Sequence, residues 1–163
     1  MAAASDNESL GAARLDDTAR DGLIQQETEC VFVFSGRDGW PSGMVMSYIF
    51  ADGAFWLTSV LGRRQVTGAR ADPRVTIVIS NHGADSRQMI SVRARATLHA
   101  DATTKDWFYP LFARRLNPAA PDQFQALLDS PNRVILECRP VGAWTSHDSR
   151  RLPGDGRGGP AQA

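Results

Sequence analysis

The sequence predicts a mainly β protein, an antiparallel β-barrel with α-helices packed around it, built from about seven strands and three helices. Short apolar runs bounded by Gly, Pro, Asn and Asp recur along the chain, which is typical of strands joined by tight turns. No internal repeat is present in the sequence, and one run alternates between apolar and polar residues as a half-buried strand does. With 163 residues, 42% of them hydrophobic and 22% charged, the chain has the size and composition of one globular domain. A single barrel with helices is the simplest architecture for this order of elements.

Both ends of the chain differ from its middle. Residues 1–14 are rich in Ala, Ser, Asp and Asn, and residues 153–163 consist mainly of Gly, Pro and Ala. Such segments bury too little apolar surface to offset the entropy lost on ordering them. We therefore expect two mobile tails around one domain at residues 15–152.

The first part of this domain is predicted to be a helix followed by three strands. Asp16 and Asp17 are typical of a helix start, and the apolar residues around them share one helical face: Leu15, Ala19, Leu23 and Ile24. The strands that follow are compact apolar runs at residues 30–34, 44–50 and 54–58. Asp52 and Gly53 tolerate the positive φ angles of a two-residue turn, so the second and third strands are predicted to form a hairpin.

A short helix and two further strands are predicted next. Residues 63–70 have a helical pattern that ends before Pro73, because proline disfavours helical geometry in the residue before it. A strand follows at residues 75–80, and then a turn-rich connection at residues 81–86. Residues 89–98 alternate well, which predicts a half-buried strand with Val92, Ala94 and Ala96 on one face.

Two helical segments and two strands complete the domain. Thr103 or Thr104 is suited to cap a helix that reaches about Arg115, with the apolar residues Trp107, Phe108, Leu111 and Phe112. Pro121–Leu128 suggests a second helical segment after it. The final strands are predicted at residues 133–138 and 143–146, separated by Pro140 and Gly142.

Charge and cysteine content exclude several classes of protein. Lys and Arg together number 18, as do Asp and Glu, which argues against bulk electrostatic binding to nucleic acid or to an anionic membrane. The apolar runs are far shorter than the roughly twenty residues of a membrane-spanning helix. No signal peptide precedes them, so we expect a cytoplasmic protein. Cys30 and Cys138 lack CxxC or Cys/His spacing and are expected to be reduced core residues.

One segment of the sequence gathers groups that bind phosphate. Thr58 and Ser59 end a predicted strand, and Gly62, Arg63 and Arg64 open the next helix. Hydroxyls, the N–H groups at a helix start and guanidiniums all donate hydrogen bonds to phosphate oxygens. The alternative is that both arginines are solvated surface charges, and the spacing alone leaves that alternative open.

The same segment resembles the pyridoxamine 5′-phosphate oxidase-like superfamily of FMN-binding split barrels. In the oxidases a Gly-(x)4-Thr-(x)4-Arg-Lys arrangement follows the second barrel strand. Gly53, Thr58, Arg63 and Arg64 stand at corresponding intervals here, with arginine in place of the lysine. The resemblance extends over about residues 15–152, and it implies a flavin-binding split barrel that forms a homodimer with a shared cofactor site.

The resemblance also assigns candidate cofactor residues. Arg63 and Arg64 match the phosphate-binding pair of the family, and Leu57 and Thr58 match positions beside the ribityl phosphate. Gln88 resembles a glutamine that reaches the cofactor. The candidate cofactor site is Met46, Ser47, Leu57, Thr58, Ser59, Arg63, Arg64, Gln88 and Trp144.

Two departures from the family pattern limit what the resemblance implies. Ser42 and Ser47 stand where the oxidases carry an arginine and a lysine, and the residues after Trp144 do not reproduce the segment that holds pyridoxal phosphate. We therefore expect a small general member that does not efficiently oxidise pyridoxamine 5′-phosphate. The resemblance implies an FMN-dependent oxidoreductase that transfers hydride to or from a small organic substrate. An F420-dependent reductase and a non-catalytic flavin-binding or haem-binding dimer are the alternatives, and Trp144 is either a pocket wall or a packing residue.

No catalytic or metal-binding residue is assigned from the sequence. The flavin carries the redox step, so no general acid or base is required of the protein. His82, His99 and His147 have no companions at metal-binding spacing, and each is expected at the surface or in a hydrogen bond.

A homodimer is also expected, because two late strands carry more apolar side chains than one small core can cover. They are Val92, Ala94, Ala96, Val134, Ile135 and Leu136.

Overall fold

The computed structural model describes residue 11 and residues 13–82 and 88–151. These ranges hold seven strands and four α-helices. In chain order they are α1 (Asp17–Gln26), β1 (Glu29–Ser35), β2 (Pro41–Ala51), β3 (Ala54–Val60), α2 (Arg64–Ala71), β4 (Arg74–Ser80), β5 (Gln88–His99), α3 (Ala102–Leu116), α4 (Pro121–Leu128), β6 (Arg133–Pro140) and β7 (Thr145–Asp148). Most of the predicted tails and of the connection at residues 81–86 lies outside the described residues.

The strands form a closed antiparallel barrel. Their order is β4-β1-β2-β3-β6-β5, and β5 pairs back with β4 to close the ring. The twelve-residue strand β5 also carries β7, which pairs with its first residues at 88–91, whereas β6 pairs with residues 94–99. The predicted mainly β split barrel is confirmed.

The hairpin between β2 and β3 turns at Asp52 and Gly53. Their φ angles are 50° and 70°, in the left-handed region that a two-residue hairpin turn requires and that Asp and Gly tolerate. Ala51 pairs with Ala54 directly across this turn, which confirms the predicted hairpin and fixes the register of the two strands.

The barrel interior is filled by inward-facing residues of all six strands together with one face of α1. The large side chains that are almost completely buried include Leu23, Phe32, Tyr48, Phe55, Leu57, Ile77, Ile79, Ile90 and Leu136. Cys30 and Cys138 are buried in the same cluster and form no disulfide, so the prediction that they are core residues is confirmed.

A second apolar layer covers the outside of the barrel. Helix α3 packs on the outer faces of β2, β3 and β6, and α4 packs beside it. The buried residues of this layer are Ile49, Ala54, Trp56, Phe108, Tyr109, Phe112, Leu128 and Ile135. None of the described helices is long and apolar enough to cross a membrane.

The six residues expected to pack against a partner are all buried within one chain. The expectation that one chain could not cover these six side chains is wrong, because the two strands serve two cores of the same chain. Val92, Ala94, Ala96 and Leu136 face the barrel interior, and Ile135 faces the helical layer.

Aspartates cap the starts of two helices, α1 and α3. Helix α1 begins at Asp17, as predicted, and Asp16 caps it, since its Oδ1 accepts the Ala19 N–H at 2.8 Å. The predicted cap of α3 at Thr103 or Thr104 is wrong. Asp101 caps this helix instead, because its carboxylate accepts both the N–H of Thr104 at 2.8 Å and the Thr104 hydroxyl at 3.0 Å. Helix α4 confirms the second helical segment suggested at Pro121–Leu128, and with it the described residues hold four α-helices where about three were counted from the sequence.

The last strand lies two residues later than predicted. Gly142 has a φ of 72°, and pairing with β5 begins only at Thr145, opposite Ser91. At its end the backbone N–H of Asp148 donates to the carbonyl of Ala13 at 2.7 Å, so β7 is bonded both to β5 and to the N-terminal part of the described chain.

Candidate functional site

A cleft lies between the barrel and its outer helices, and we call it the barrel–helix cleft. It encloses about 400 Å³. Strands β2 and β3 form one wall, α3 and α4 form the other, and the starts of α2 and β6 also line it. The lining residues are Met44, Val45, Met46, Ser47, Thr58, Ser59, Val60, Arg63, Gln65, Phe112, Leu116, Phe124, Leu127, Leu128 and Arg133.

The charge of this cleft is positive. Arg63 and Arg133 contribute two guanidiniums, and no carboxylate belongs to the lining in the described part of the chain. Guanidiniums bind carboxylate and phosphate oxygens through several directed N–H groups, and an apolar surrounding strengthens that attraction. The cleft is therefore suited to an anionic group attached to an apolar body.

Arg133 holds a donor that the chain itself leaves unsatisfied. Its Nε is buried and has no hydrogen-bond partner among the described residues. A buried N–H group without an acceptor costs about 1–3 kcal/mol. An acceptor that reached this N–H group would remove that cost.

The start of α2 adds further donors. Arg63 is the residue before the first turn of α2 and makes no side-chain capping hydrogen bond, which leaves the first N–H groups without a side-chain acceptor. The buried Gln65 donates from Nε2 to the Ser59 Oγ at 3.1 Å, so the Ser59 hydroxyl proton can be donated to a ligand. The Thr58 hydroxyl instead donates to the Val134 carbonyl at 2.9 Å, which fixes β3 against β6.

Five of the nine candidate cofactor residues come together in this cleft, namely Met46, Ser47, Thr58, Ser59 and Arg63. The other four lie elsewhere in the chain. The Leu57 side chain is completely buried in the barrel interior, on the opposite face of β3 from Thr58.

Arg63 and Arg64 line different cavities. Arg64 borders a separate depression beside the turn between β1 and β2, together with Arg37, Asp38 and Thr67. Arg63 has an extended backbone with a ψ of 143°, whereas Arg64 is the first helical residue, so the two side chains leave the chain in different directions. Within a single chain, only Arg63 of the predicted pair lines the barrel–helix cleft.

Neither Gln88 nor Trp144 lines a cavity with Arg63 or Arg64. The Gln88 side chain donates to the Asp148 carboxylate at 3.0 Å. Trp144 packs against Phe55 with ring centroids 6.0 Å apart, and the guanidinium of Arg20 lies 4.9 Å from the centroid of its ring.

The fold agrees with that of a known family. The family model of pyridoxamine 5′-phosphate oxidase matches residues 15–147, which is most of the chain. The chain belongs to the pyridoxamine 5′-phosphate oxidase family. The resemblance inferred from the sequence is thereby confirmed. No curated protein gives a significant sequence match.

Solved structures share the fold of this family member at low sequence identity. A conserved hypothetical protein from Mycobacterium tuberculosis gives a TM-score of 0.73 at 16% identity, over 86% of this chain and 89% of that one. The heme storage protein HutZ from Vibrio cholerae gives 0.65 at 9% identity, over 78% and 92% of the chains. An F420 reductase gives 0.61 at 19% identity, over 76% and 94%. These similarities show a common split barrel.

Other reactive side chains of this family member are engaged or buried. Burial raises the pKa of the Cys30 thiol to about 12, and it raises the pKa of Cys138 as well, so both stay protonated. His82, His99 and His147 contact Glu27, Glu137 and Ser149, respectively, at 2.6, 2.8 and 3.2 Å. Within the described ranges, no group of three His, Cys, Asp or Glu residues is placed to hold a metal ion.

Sequence reasoning missed two of the polar residues that line the cleft, Gln65 and Arg133. Gln65 directly follows the predicted arginine pair, and its burial beside Ser59 becomes visible only once α2 packs on the barrel. Arg133 starts a strand seventy positions after Arg63, and no local pattern distinguishes it from the many other arginines of the chain.

Proposed function

We propose that this protein is an FMN-dependent oxidoreductase whose barrel–helix cleft holds the cofactor's phosphate and ribityl chain. The observation that carries the proposal is the pair of guanidiniums, Arg63 and Arg133, in a partly apolar cleft whose described lining has no carboxylate. Bound FMN would supply hydride transfer to or from a small organic substrate. The residues of the chain bind and orient it. Arg63, Arg133 and Ser59 donate to the phosphate, while Gln65 holds Ser59 in place.

Ser42 and Ser47 supply no cation for a substrate that carries its own phosphate. For that reason pyridoxamine 5′-phosphate is not the substrate that we propose.

The proposal is tested by comparing FMN with riboflavin, which lacks the phosphate. Arg63→Ala is expected to weaken FMN binding by several-fold to a few hundred-fold, since hydrogen bonds to charged groups contribute about 1.5–3 kcal/mol. Arg64→Ala is expected to have an effect of this size only if Arg64 turns towards the phosphate when the cofactor binds. Fluorescence titration gives both affinities, and riboflavin binding should change much less.

Arg70→Ala is the matched control because Arg70 is an exposed arginine on the same helix. Equal losses for FMN and riboflavin in Arg63→Ala would show that the arginine acts through folding, and the proposal would then be abandoned.

The absorption spectrum of the purified protein separates FMN from the alternatives. Bands at flavin wavelengths support FMN, whereas a Soret band would support haem. Met44 and Met46 are the only side chains of the cleft lining with a haem-ligating atom, and no histidine belongs to it in the described residues. A deazaflavin such as F420 also carries phosphate, so it would use the same arginines, and a direct titration with F420 distinguishes it.

We also propose that two copies of the chain share the site. Gln88 and Trp144 do not line the cleft that holds Arg63, which is the arrangement expected if a second chain brings them to the cofactor. The mouth of the cleft carries apolar side chains that one chain leaves in water, with Val45 67% and Leu127 69% exposed. Burial of such a patch favours association.

Sedimentation of the intact protein tests the dimer. Val45→Asp is expected to convert a dimer into monomers because a charge would be buried at the contact. Val141→Asp, at an exposed apolar residue outside the cleft, should leave the dimer intact. A wild-type protein that sediments as a folded monomer at micromolar concentration would rule out the shared site.

A further inference from the structure

A second and larger cavity opens at one end of the barrel, and we call it the barrel-end cavity. It encloses about 540 Å³ and shares no lining residue with the barrel–helix cleft. It lies where β1 ends, β2 and β4 begin and the chain leaves β6. Apolar residues such as Val33, Val75 and Val141 line it together with Arg74, Arg93 and Arg95.

A row of three arginines crosses the sheet at this cavity. Arg95 on β5 lies directly opposite Arg74 on β4 and directly opposite Arg139 on β6. Like charges on directly opposite residues of neighbouring strands destabilise a sheet. The two outer arginines are neutralised, because Arg74 pairs with Asp72 at 2.6 Å and Arg139 pairs with Asp52 at 3.2 Å.

Arg95 is the member of this row without a carboxylate of its own. In the described part of the chain its guanidinium makes neither a hydrogen bond nor an ion pair, although it lies close enough to Asp72 to lower the pKa of that carboxyl slightly. An anion beside Arg95 would relieve the repulsion along the row.

Arg93 supplies a second guanidinium on the same face of β5. It too makes no side-chain hydrogen bond or ion pair with any described residue. The backbone of Arg93 is held by the turn after β6, because its carbonyl accepts the N–H of Val141. Gly142, with a φ of 72°, leaves room for the guanidinium, since a Cβ there would lie 3.3 Å from Nη2 of Arg93.

We propose that the barrel-end cavity binds a small organic anion, a carboxylate or a phosphate monoester carried on an apolar body. Arg93 and Arg95 hold the oxyanion through their N–H groups, which match the oxygens of both anions. The apolar body occupies the space beside Val33, Val75 and Val141. The site is independent of the proposed cofactor site and does not require that FMN be bound.

Isothermal titration with octanoate, octyl phosphate and octanol tests the proposal and distinguishes the two anions. The titrations use protein with excess FMN present and are repeated on Arg63→Gln, so that binding in the barrel–helix cleft is recognised whether or not FMN binds. We expect at least one of the two anions to bind saturably with one site per chain. Octanol should bind at least tenfold more weakly.

Variants locate the bound anion. Arg93→Gln and Arg95→Gln are each expected to weaken it about tenfold to a hundredfold. Arg114→Gln, which removes an exposed arginine on α3, should leave affinity unchanged. Val141→Asn should weaken the binding of octanoate but not of acetate, because acetate has no apolar chain that would contact Val141.

Three results would overturn the proposal. The first is the absence of saturable binding by either anion up to millimolar concentration. The second is equal binding of octanol, which would mean that the arginines do not recognise the head group. The third is a loss of affinity in Arg63→Gln or Arg114→Gln as large as in Arg93→Gln, which would place the anion elsewhere.

Discussion

The barrel interior and the barrel–helix cleft are both built mostly from apolar side chains, but only the interior is completed by its own chain. Inside the barrel, Phe32 and Phe55 are fully buried, and the hydroxyl of Tyr48 donates to the Ile24 carbonyl at 2.8 Å. In the cleft, Leu127 remains 69% exposed and the buried Nε of Arg133 has no acceptor. The interior therefore supplies stability, whereas the cleft retains the unmet contacts that a ligand or a second chain can satisfy.

The largest expected effect comes from removing a ring from the barrel interior. Phe55 contacts Tyr48, Phe50 and Trp144, with ring centroids 5.6, 4.7 and 6.0 Å away. Phe55→Ala should lower the free energy of unfolding by about 3–5 kcal/mol, since the cavity left behind cannot collapse completely.

Leu127→Ala in the cleft is the matched comparison. Because its side chain is mostly exposed, urea denaturation in the monomeric Val45→Asp background should show a change in the free energy of unfolding of about 0.5 kcal/mol or less. Similar losses in the two variants would mean that the cleft is as complete as the interior.

A smaller effect is expected at the edge of the barrel, where a polar group is fully satisfied by its own chain. Hydrogen bonds from Arg150 and Gln88 hold the pKa of the Asp148 carboxyl at about 2, below its usual 3.8. A lowered pKa contributes stability that is present above the unfolded value and lost as the pH falls towards the folded value. At neutral pH, Asp148→Asn should therefore cost on the order of 2 kcal/mol.

The pH dependence tests this assignment. Denaturation of the wild type and of Asp148→Asn should give stabilities that converge as the pH is lowered from about 5 towards 2. A difference that stays constant over that range would show that the carboxylate charge is not the source of the stability.

The smallest effect on stability is expected in the cleft itself. Arg133→Met removes a buried donor that has no partner, so the ligand-free protein should keep its free energy of unfolding or gain up to about 1 kcal/mol. The same change should weaken the binding of FMN by about tenfold or more, as measured by fluorescence titration. A clear loss of stability with unchanged FMN affinity would assign Arg133 to the fold.

The neighbouring arginines show where sequence reasoning about the site stops. The family resemblance placed Arg63 and Arg64 at one phosphate, yet within one chain they line different cavities. Arg133 could not be found from the sequence, because it reaches the cleft only through the pairing of β6 with β3. Conversely, Thr58 and Ser59 were found, because they follow directly from the end of a recognisable strand.

Local features of the fold were determined by the sequence itself. The Asp52–Gly53 turn, the cap at Asp16 and the end of α2 before Pro73 each depend on the conformations that a few neighbouring residues allow. The family resemblance added the order of these elements in a split barrel. Where two local signals competed, as at Asp101 and the threonines after it, sequence reasoning chose the wrong cap.

Tertiary structure alone decided which apolar side chains are buried and which charges are paired. Val92 and Ile135 look equally apolar in the sequence, but the barrel buries one and the helical layer buries the other. Arg74 and Arg95 look equally charged in the sequence, but the pairing of β4 with β5 sets them opposite each other. Of the two, only Arg74 forms an ion pair with a carboxylate of the described residues. The physical reason is that burial and charge pairing depend on residues distant in the chain, whereas turns and caps depend on residues next to one another.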